Sequence, residues 1–142
     1  MSSYDNIQYY QIGDETIDNQ HQGLLEALGR YIEKIRKRVK TSELLTFTDF
    51  LKQYALDHFT DEEMLMAKLN CQVKEQNEKE HNQFIERLCE ARNTLQVRGA
   101  TPQLAKQLHS DLRLWFIGHI GRIDKEMSTA LGSQPKLVKQ NR

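Results

Sequence analysis

The sequence predicts an all-α protein that folds as an up-down-up-down four-helix bundle. Its 142 residues suit one domain built around a single core. With 38% hydrophobic residues but only 2 prolines and 7 glycines, the composition argues against both disorder and a turn-rich β-sandwich. Four stretches carry hydrophobic residues at helical spacing, and four helices joined by short loops pack most simply as a bundle.

The first two helices are expected to follow one another directly. Asp18 is the expected N-cap of the first helix, and the basic residues at 36–38 and 40 suit its C-terminal end. Thr41 or Ser42 is expected to cap the second helix, which ends near Asn70. The predicted inner faces are His21, Leu24, Leu25, Leu28, Ile32, Ile35 and Val39, followed by Leu44, Phe47, Leu51, Tyr54, Ala55, His58, Glu62, Leu65 and Leu69.

The third helix is expected to run from about Val73 to a stop at Gly99. Thr101 then resembles an N-cap, with Pro102 at the first position of the fourth helix. The predicted inner faces are Val73, Asn77, His81, Phe84, Leu88, Ala91 and Leu95, followed by Leu104, Leu108, Leu112, Trp115, His119, Ile123 and Met127.

Outside the bundle, two short terminal segments lack helical periodicity. We expect residues 1–17 to form an N-terminal arm and residues 18–131 to form the bundle. Residues 132–142 are expected to form a short, flexible polar tail without regular structure.

Charge and hydropathy exclude several partners. The chain has 20 Lys+Arg and 20 Asp+Glu, so no net positive field favours nucleic acid or an anionic membrane. The longest apolar stretch, residues 112–120, is interrupted by Arg113, Gly118 and His119, and the N-terminus lacks the apolar core of a signal peptide. We therefore expect a cytoplasmic protein. Cys71 and Cys89 are expected to remain unpaired, which suits a reducing compartment.

Each predicted helix carries one histidine in phase with its hydrophobic residues. These histidines are His21, His58, His81 and His119. Glu62 follows His58 by four residues, so both side chains can reach the same point in the interior. A single inward histidine is more often a hydrogen-bonded core residue, but four of them with a carboxylate favour a bound divalent cation. His109 is out of phase and is expected at the boundary of the core.

Asp124 is a second candidate carboxylate with an unusual spacing. It follows His119 by five residues, which corresponds to about 140° on a regular helix. Either Asp124 lies on the surface near Lys125, or the intervening turn is distorted, for example by a π-bulge. Gly118 and Gly121 flank His119 and favour such a distortion or a close helix approach.

These residues form motifs that occur in a fixed order along the chain. They are Gly13-x-x-x-Ile17-Asp18-x-Gln20-His21, His58-Phe59-x-x-Glu62-Glu63, His81-x-x-Phe84 and Trp115-Phe116-x-x-His119-Ile120-x-x-x-Asp124. From about residue 10 to residue 127 the sequence resembles the hemerythrin family, specifically the bacterial single-domain hemerythrins. The resemblance implies a four-helix bundle that holds two non-haem irons.

By resemblance, the two irons are bridged by a glutamate, an aspartate and an oxo or hydroxo group. The implied ligand set is His21, His58, Glu62, His81, His119 and Asp124. The first two histidines would hold the iron that has an open position, the last two would hold the other iron, and the two carboxylates would bridge.

Asn77 departs from the family pattern, whose third helix carries His-x-x-x-His where this chain has Asn77-x-x-x-His81. The amide oxygen of Asn77 could bind the second iron weakly, or its place could be taken by water. Glu78 and Glu80 are expected to point elsewhere. We therefore expect an altered metal site, in which the second iron is weakly held or replaced by another metal.

The resemblance implies reversible binding of O₂, or of a similar small diatomic molecule, for transport, storage or sensing. Apolar walls that hinder autoxidation are expected from Leu24, Leu28, Phe59, Trp115, Phe116 and Ile120. We expect an oxygen- and metal-binding protein rather than an enzyme. The alternatives are a redox enzyme that handles peroxide or nitric oxide at the modified site, and an oxygen or iron sensor that acts through a partner.

Overall fold

The computed structural model describes residues 8–132 and 136–139, and it confirms an all-α four-helix bundle. Three of the helices are regular α-helices. They are α1 (Glu15–Arg36), α2 (Thr41–Leu69) and α3 (Lys74–Arg98). The fourth helix, α4, spans residues 102–130. Short loops join the helices, α1 packs against α2 and α4, and α3 packs against α2.

Helix α4 is continuous but alternates between α-helix and π-helix. Its α-helical segments are Pro102–Leu108, Trp115–His119 and Lys125–Ala130. The π-helical segments are His109–Leu114 and Ile120–Asp124. The second π segment confirms the distorted turn that the spacing of His119 and Asp124 indicated, whereas the first was not predicted.

The start of α1 differs from the prediction. Asp14, not Asp18, is the N-cap, since its Oδ1 accepts a hydrogen bond of 3.0 Å from the backbone N–H of Ile17. Asp18 lies in the first turn and accepts hydrogen bonds from the backbone of Ile12 and Gly13, at 2.8 and 3.2 Å. The helix therefore includes the last three residues of the expected arm, and Asp18 attaches the preceding residues to it.

The ends of α2 agree only in part with the prediction. Neither Thr41 nor Ser42 caps the helix, because the N-cap position is Lys40 and no side chain makes a capping hydrogen bond there. At the other end, Asn70 adopts the left-handed conformation, with φ 58° and ψ 44°, and ends the helix as predicted.

The junction between α3 and α4 follows the sequence signals. Gly99, at φ 76°, ends α3, and its N–H donates to the carbonyl of Leu95 at 2.9 Å. Thr101 Oγ1 accepts a hydrogen bond of 3.0 Å from the N–H of Leu104, and Pro102 occupies the first turn of α4. This confirms the predicted stop and start.

The core consists of two hydrophobic clusters with a polar layer between them. On α1, Ile17 belongs to the smaller cluster and Leu24 to the larger one, and His21 lies between them. On α2, Glu62 lies between Phe59 of the larger cluster and Met66 of the smaller one. Polar side chains from neighbouring helices therefore meet at one level of the bundle.

A two-stranded antiparallel sheet joins the segments before α1 and after α4. Strand β1 (Gln8–Gln11) pairs with β2 (Lys136–Lys139), so the prediction of a tail without regular structure is wrong at β2. The aromatic ring of Tyr10 packs on Gly121, where an added Cβ would meet the ring at 3.7 Å. Residues 1–7, 133–135 and 140–142, which belong to the predicted arm and tail, lie outside the described residues.

Two further expectations concern membrane insertion and the pairing of the cysteines. Among the described residues, no helix combines the length and the apolar character needed to cross a lipid bilayer. Cys71 and Cys89 are both free thiols, as the sequence predicted.

The cap of α4 can be tested by Thr101→Ala. The change removes the acceptor of the Leu104 N–H, so we expect the free energy of unfolding to fall by about 1 kcal/mol in urea titrations. Thr46→Ala is the control, because Thr46 is exposed within α2 and its hydroxyl donates to the carbonyl of Ser42 in the same helix. An equal loss in both variants would contradict the capping role.

Candidate metal centre

Four imidazoles and two carboxylates meet in the polar layer, and all six side chains are buried. They are His21, His58, Glu62, His81, His119 and Asp124, none of them more than 2% exposed. Every one was predicted as a site residue from the sequence. A group of this composition cannot remain buried without compensation of its charge and polarity.

Glu62 lies between two pairs of histidines. Its Oε2 is 3.0 Å from Nε2 of His21 and 3.2 Å from Nε2 of His58. Its Oε1 is 2.8 Å from Nε2 of His81 and 3.5 Å from Nε2 of His119. The two oxygens of one carboxylate therefore face two different places in the cluster.

The two oxygens of Asp124 also face different histidines, one from each pair. Its Oδ2 is 3.0 Å from Nε2 of His21, and its Oδ1 is 3.2 Å from Nε2 of His119. The π segment Ile120–Asp124 makes this possible, because i to i+5 bonding brings residues five apart onto one face of the helix. The alternative of a surface aspartate beside Lys125 is wrong.

The two carboxylates thus divide the cluster into two half-sites. The first half-site is His21, His58, Glu62 Oε2 and Asp124 Oδ2, and the second half-site is His81, His119, Glu62 Oε1 and Asp124 Oδ1. Within each group of two histidines and Glu62, the candidate ligand atoms lie within 4.8 Å of one another. Each half-site is a suitable size for one metal ion.

The outer ring nitrogens of two histidines are hydrogen-bonded to residues that the sequence did not single out as site residues. His58 Nδ1–H donates to the amide oxygen of Gln20 at 2.8 Å, and Gln20 in turn donates to Asp61. His81 Nδ1–H donates to Glu63 at 2.8 Å. These bonds set the tautomer and turn Nε2, with its lone pair, towards the carboxylates.

Glu80 orients the ring of His119 through a hydrogen bond to its outer nitrogen. The prediction that Glu80 points elsewhere is therefore wrong. Glu80 is 4% exposed, and its Oε1 accepts a hydrogen bond of 2.9 Å from Nδ1–H of His119. Gln76 and Arg122 also donate to its carboxylate, and the bond from His119 is the main reason that the pKa of Glu80 falls to about 2. Glu78 does point elsewhere, towards Lys74 on the surface.

Unpartnered atoms show that the cluster fits a bound cation. Nε2 of His58 and both carboxylate oxygens of Asp124 are buried without a hydrogen-bond partner among the described residues. The Nδ1 protons of three histidines are directed outwards, so in the neutral imidazoles the Nε2 lone pairs face carboxylate lone pairs. A cation between them turns this repulsion into coordination, and histidine with carboxylate is a donor set that suits iron.

The electrostatics at two of the histidines also favour a bound cation, whereas at His58 burial outweighs the carboxylates and lowers the pKa. Burial by itself lowers the pKa of His21, but the carboxylates of Asp124 and Glu62 outweigh it and raise that pKa to about 9. The pKa of His119 is raised well above its usual value, again against burial, by Asp124 foremost. At these positions the carboxylates favour positive charge, which metal ions would supply in place of protons.

Three of the six residues predicted to line an oxygen pocket are aromatic and contact the imidazoles. The ring centroids are 3.8 Å apart in Phe59–His81, 5.5 Å in Trp115–His119 and 5.5 Å in Phe116–His21. Leu24, Leu28 and Ile120 are fully buried in the larger hydrophobic cluster. His109 lies half-buried in the first π segment and outside the six-residue cluster, as predicted.

Fold and site together define a four-helix-bundle protein with a candidate dinuclear metal centre. Residues 12–131 match the sequence profile of the hemerythrin HHE cation binding domain. Since this match covers most of the chain, the protein belongs to the hemerythrin family.

The similar proteins include bacteriohemerythrins and a myohemerythrin. Bacteriohemerythrin of Pseudomonas aeruginosa strain LESB58 is 29% identical over 128 residues, which cover 89% of this chain and 81% of that protein. Myohemerythrin of Riftia pachyptila is 27% identical over 115 residues, with 81% and 82% covered. Bacteriohemerythrin of Clostridium acetobutylicum strain ATCC 824 is 24% identical over 120 residues, with 82% and 92% covered.

The orienting role of Glu80 can be tested by Glu80→Gln. The loss of charge weakens the hydrogen bond that aligns His119, so we expect metal affinity to fall about tenfold, measured as metal retained against a competing chelator. Glu78→Gln is the matched control on the same helix, because it removes only a surface contact with Lys74. If both variants retain metal equally, Glu80 does not support the site.

Proposed function

We propose that the protein binds O₂ reversibly at two non-haem irons bridged by carboxylates and by an oxo or hydroxo group. One observation carries the proposal: the two oxygens of Glu62 face separate pairs of histidines, and the two oxygens of Asp124 face one histidine of each pair. A single carboxylate that serves two half-sites is the arrangement expected for a dinuclear centre. Membership of the hemerythrin family and the names of the similar proteins support the same function.

Each protein group has a part in this function. Two ferrous ions would supply the electrons that O₂ accepts when it binds and returns when it leaves. The four histidines hold the ions, and Gln20, Glu63 and Glu80 keep their rings in position. Phe116, which contacts His21 and His58, keeps water from the first half-site, where the resemblance puts the open position.

The proposal extends to the cell compartment. We propose a cytoplasmic location, since both cysteines are free and no described helix could cross a membrane. The formal charge of zero is consistent with a small uncharged ligand rather than a nucleic acid.

The metal assignment is tested by His58→Ala, with His109→Ala as the control outside the cluster. The unaltered protein should contain two irons per chain and show an absorption band in air that disappears on deoxygenation and returns. His58→Ala should lose metal and melt at a lower temperature, because metal binding adds to the free energy of folding. Unchanged metal content and melting temperature in His58→Ala would refute the site.

A second candidate function is a redox reaction with peroxide or nitric oxide. It is favoured by Asn77, whose amide is fully buried and has no hydrogen-bond partner among the described residues. A second iron with fewer protein ligands would be more open to such molecules.

The lifetime of the oxygenated protein discriminates between the two functions. Asn77→His should add an imidazole ligand to the second half-site and slow autoxidation, since imidazole is the better donor to iron. Asn93→His, at an exposed position of the same helix, is the control. A long lifetime in the unaltered protein, equal to that of Asn77→His, would exclude the redox candidate.

A further inference from the structure

Asn77 is a buried polar group for which the described protein supplies no partner. The side chain is 0% exposed, and neither Nδ2 nor Oδ1 has a hydrogen bond among the described residues. An unpaired buried amide is unfavourable, because it has given up its bonds to water and received none in return. The amide therefore requires a partner that the described residues do not provide.

The position of Asn77 identifies where that partner lies. Asn77 precedes His81 by four residues on α3, which puts both side chains on one face, one turn apart. His81 belongs to the second half-site, since its Nε2 is 2.8 Å from Glu62 Oε1. The amide of Asn77 thus adjoins the second half-site.

The two half-sites have the same protein donors. Each offers two histidine nitrogens and one oxygen from each of the carboxylates of Glu62 and Asp124. If two histidines leave an open position on the first metal, the same donors leave one on the second. Asn77, one turn before His81 on the same face of α3, is where a further ligand from this helix would be expected.

Asn77 is too short to be that ligand. Its Oδ1 is two bonds from Cβ, whereas Nε2 of an imidazole at the same Cα would be three bonds away. The amide ends short of the place that such a nitrogen would occupy, which leaves that coordination position to a small ligand within hydrogen-bond reach of the amide. The Nδ2–H of Asn77 then has an acceptor, which lowers the cost of burying the amide.

We propose that the second half-site has its own open coordination position, which binds water or a small anion hydrogen-bonded to Asn77. The inference rests on the proposed function, because it presupposes a metal ion at His81 and His119. It adds to that function a second exogenous-ligand site, at the metal opposite the one to which the resemblance assigns the open position.

Azide titration of the full-length, iron-loaded ferric protein tests the proposal, since azide is a small anion that takes up open ferric positions. Calorimetry and the visible spectrum count the azide ions bound per chain, and iron is measured on the same sample. We expect two azides per chain in the unaltered protein, one in Asn77→His and two in the control Asn93→His.

Asn77→Ala provides a second measurement that does not require an added imidazole. It leaves the position open but removes the donor, so two azides should still bind, one of them about tenfold more weakly. Unchanged affinities in this variant would overturn the role of Asn77 as donor.

The outcomes separate this inference from the proposed function. A protein with two irons that binds a single azide overturns the second open position and leaves the proposed function intact. A protein that takes up no iron overturns both.

Discussion

The burial of two carboxylates among four imidazoles is the constraint on which the rest of the structure depends. Glu62 and Asp124 are both 0% exposed, and such charges remain in an apolar interior only if positive charge or hydrogen bonds surround them. The bundle meets this requirement with one histidine from each helix. The polar layer then separates the hydrophobic core into two clusters, so packing and metal chemistry are determined by the same few residues.

The irregular fourth helix follows from this constraint. A regular α-helix would carry Asp124 about 140° away from His119, whereas the π turn brings their side chains to 3.2 Å. Gly121 lies in this turn, and the ring of Tyr10 of β1 packs on it at a distance that would leave room for a Cβ. Strand β1 pairs with β2, and the residues that follow it bond to Asp18, so β1 covers the part of the helix that the site distorts.

The residues behind the histidines show how the protein prepares the site for a cation. Gln20, Glu63 and Glu80 each accept a hydrogen bond from one outer ring N–H. This leaves the inner nitrogens as lone-pair donors in a region where carboxylates already favour positive charge. Arg122, which bonds to Glu80, balances one of the added negative charges.

The sequence by itself determined the features that depend on local spacing. Helical periodicity put one histidine per helix inside, Thr101 and Gly99 marked the junction of α3 and α4, and the resemblance paired the carboxylates with the histidines. The five-residue step to Asp124 even indicated the π turn. Each of these signals lies within a few residues of the feature it predicts, or within a motif.

Only the tertiary structure decided the contacts between distant parts of the chain. Glu80 is 39 residues from His119 in sequence, and Gln20 is 38 from His58, so no periodicity could pair them. The pairing of β2 with β1 likewise joins the two ends of the described chain. Asp14 replaced Asp18 as the cap because Asp18 had backbone partners in the arm. In all these cases, several polar groups compete for partners, and only the folded arrangement settles which of them meet.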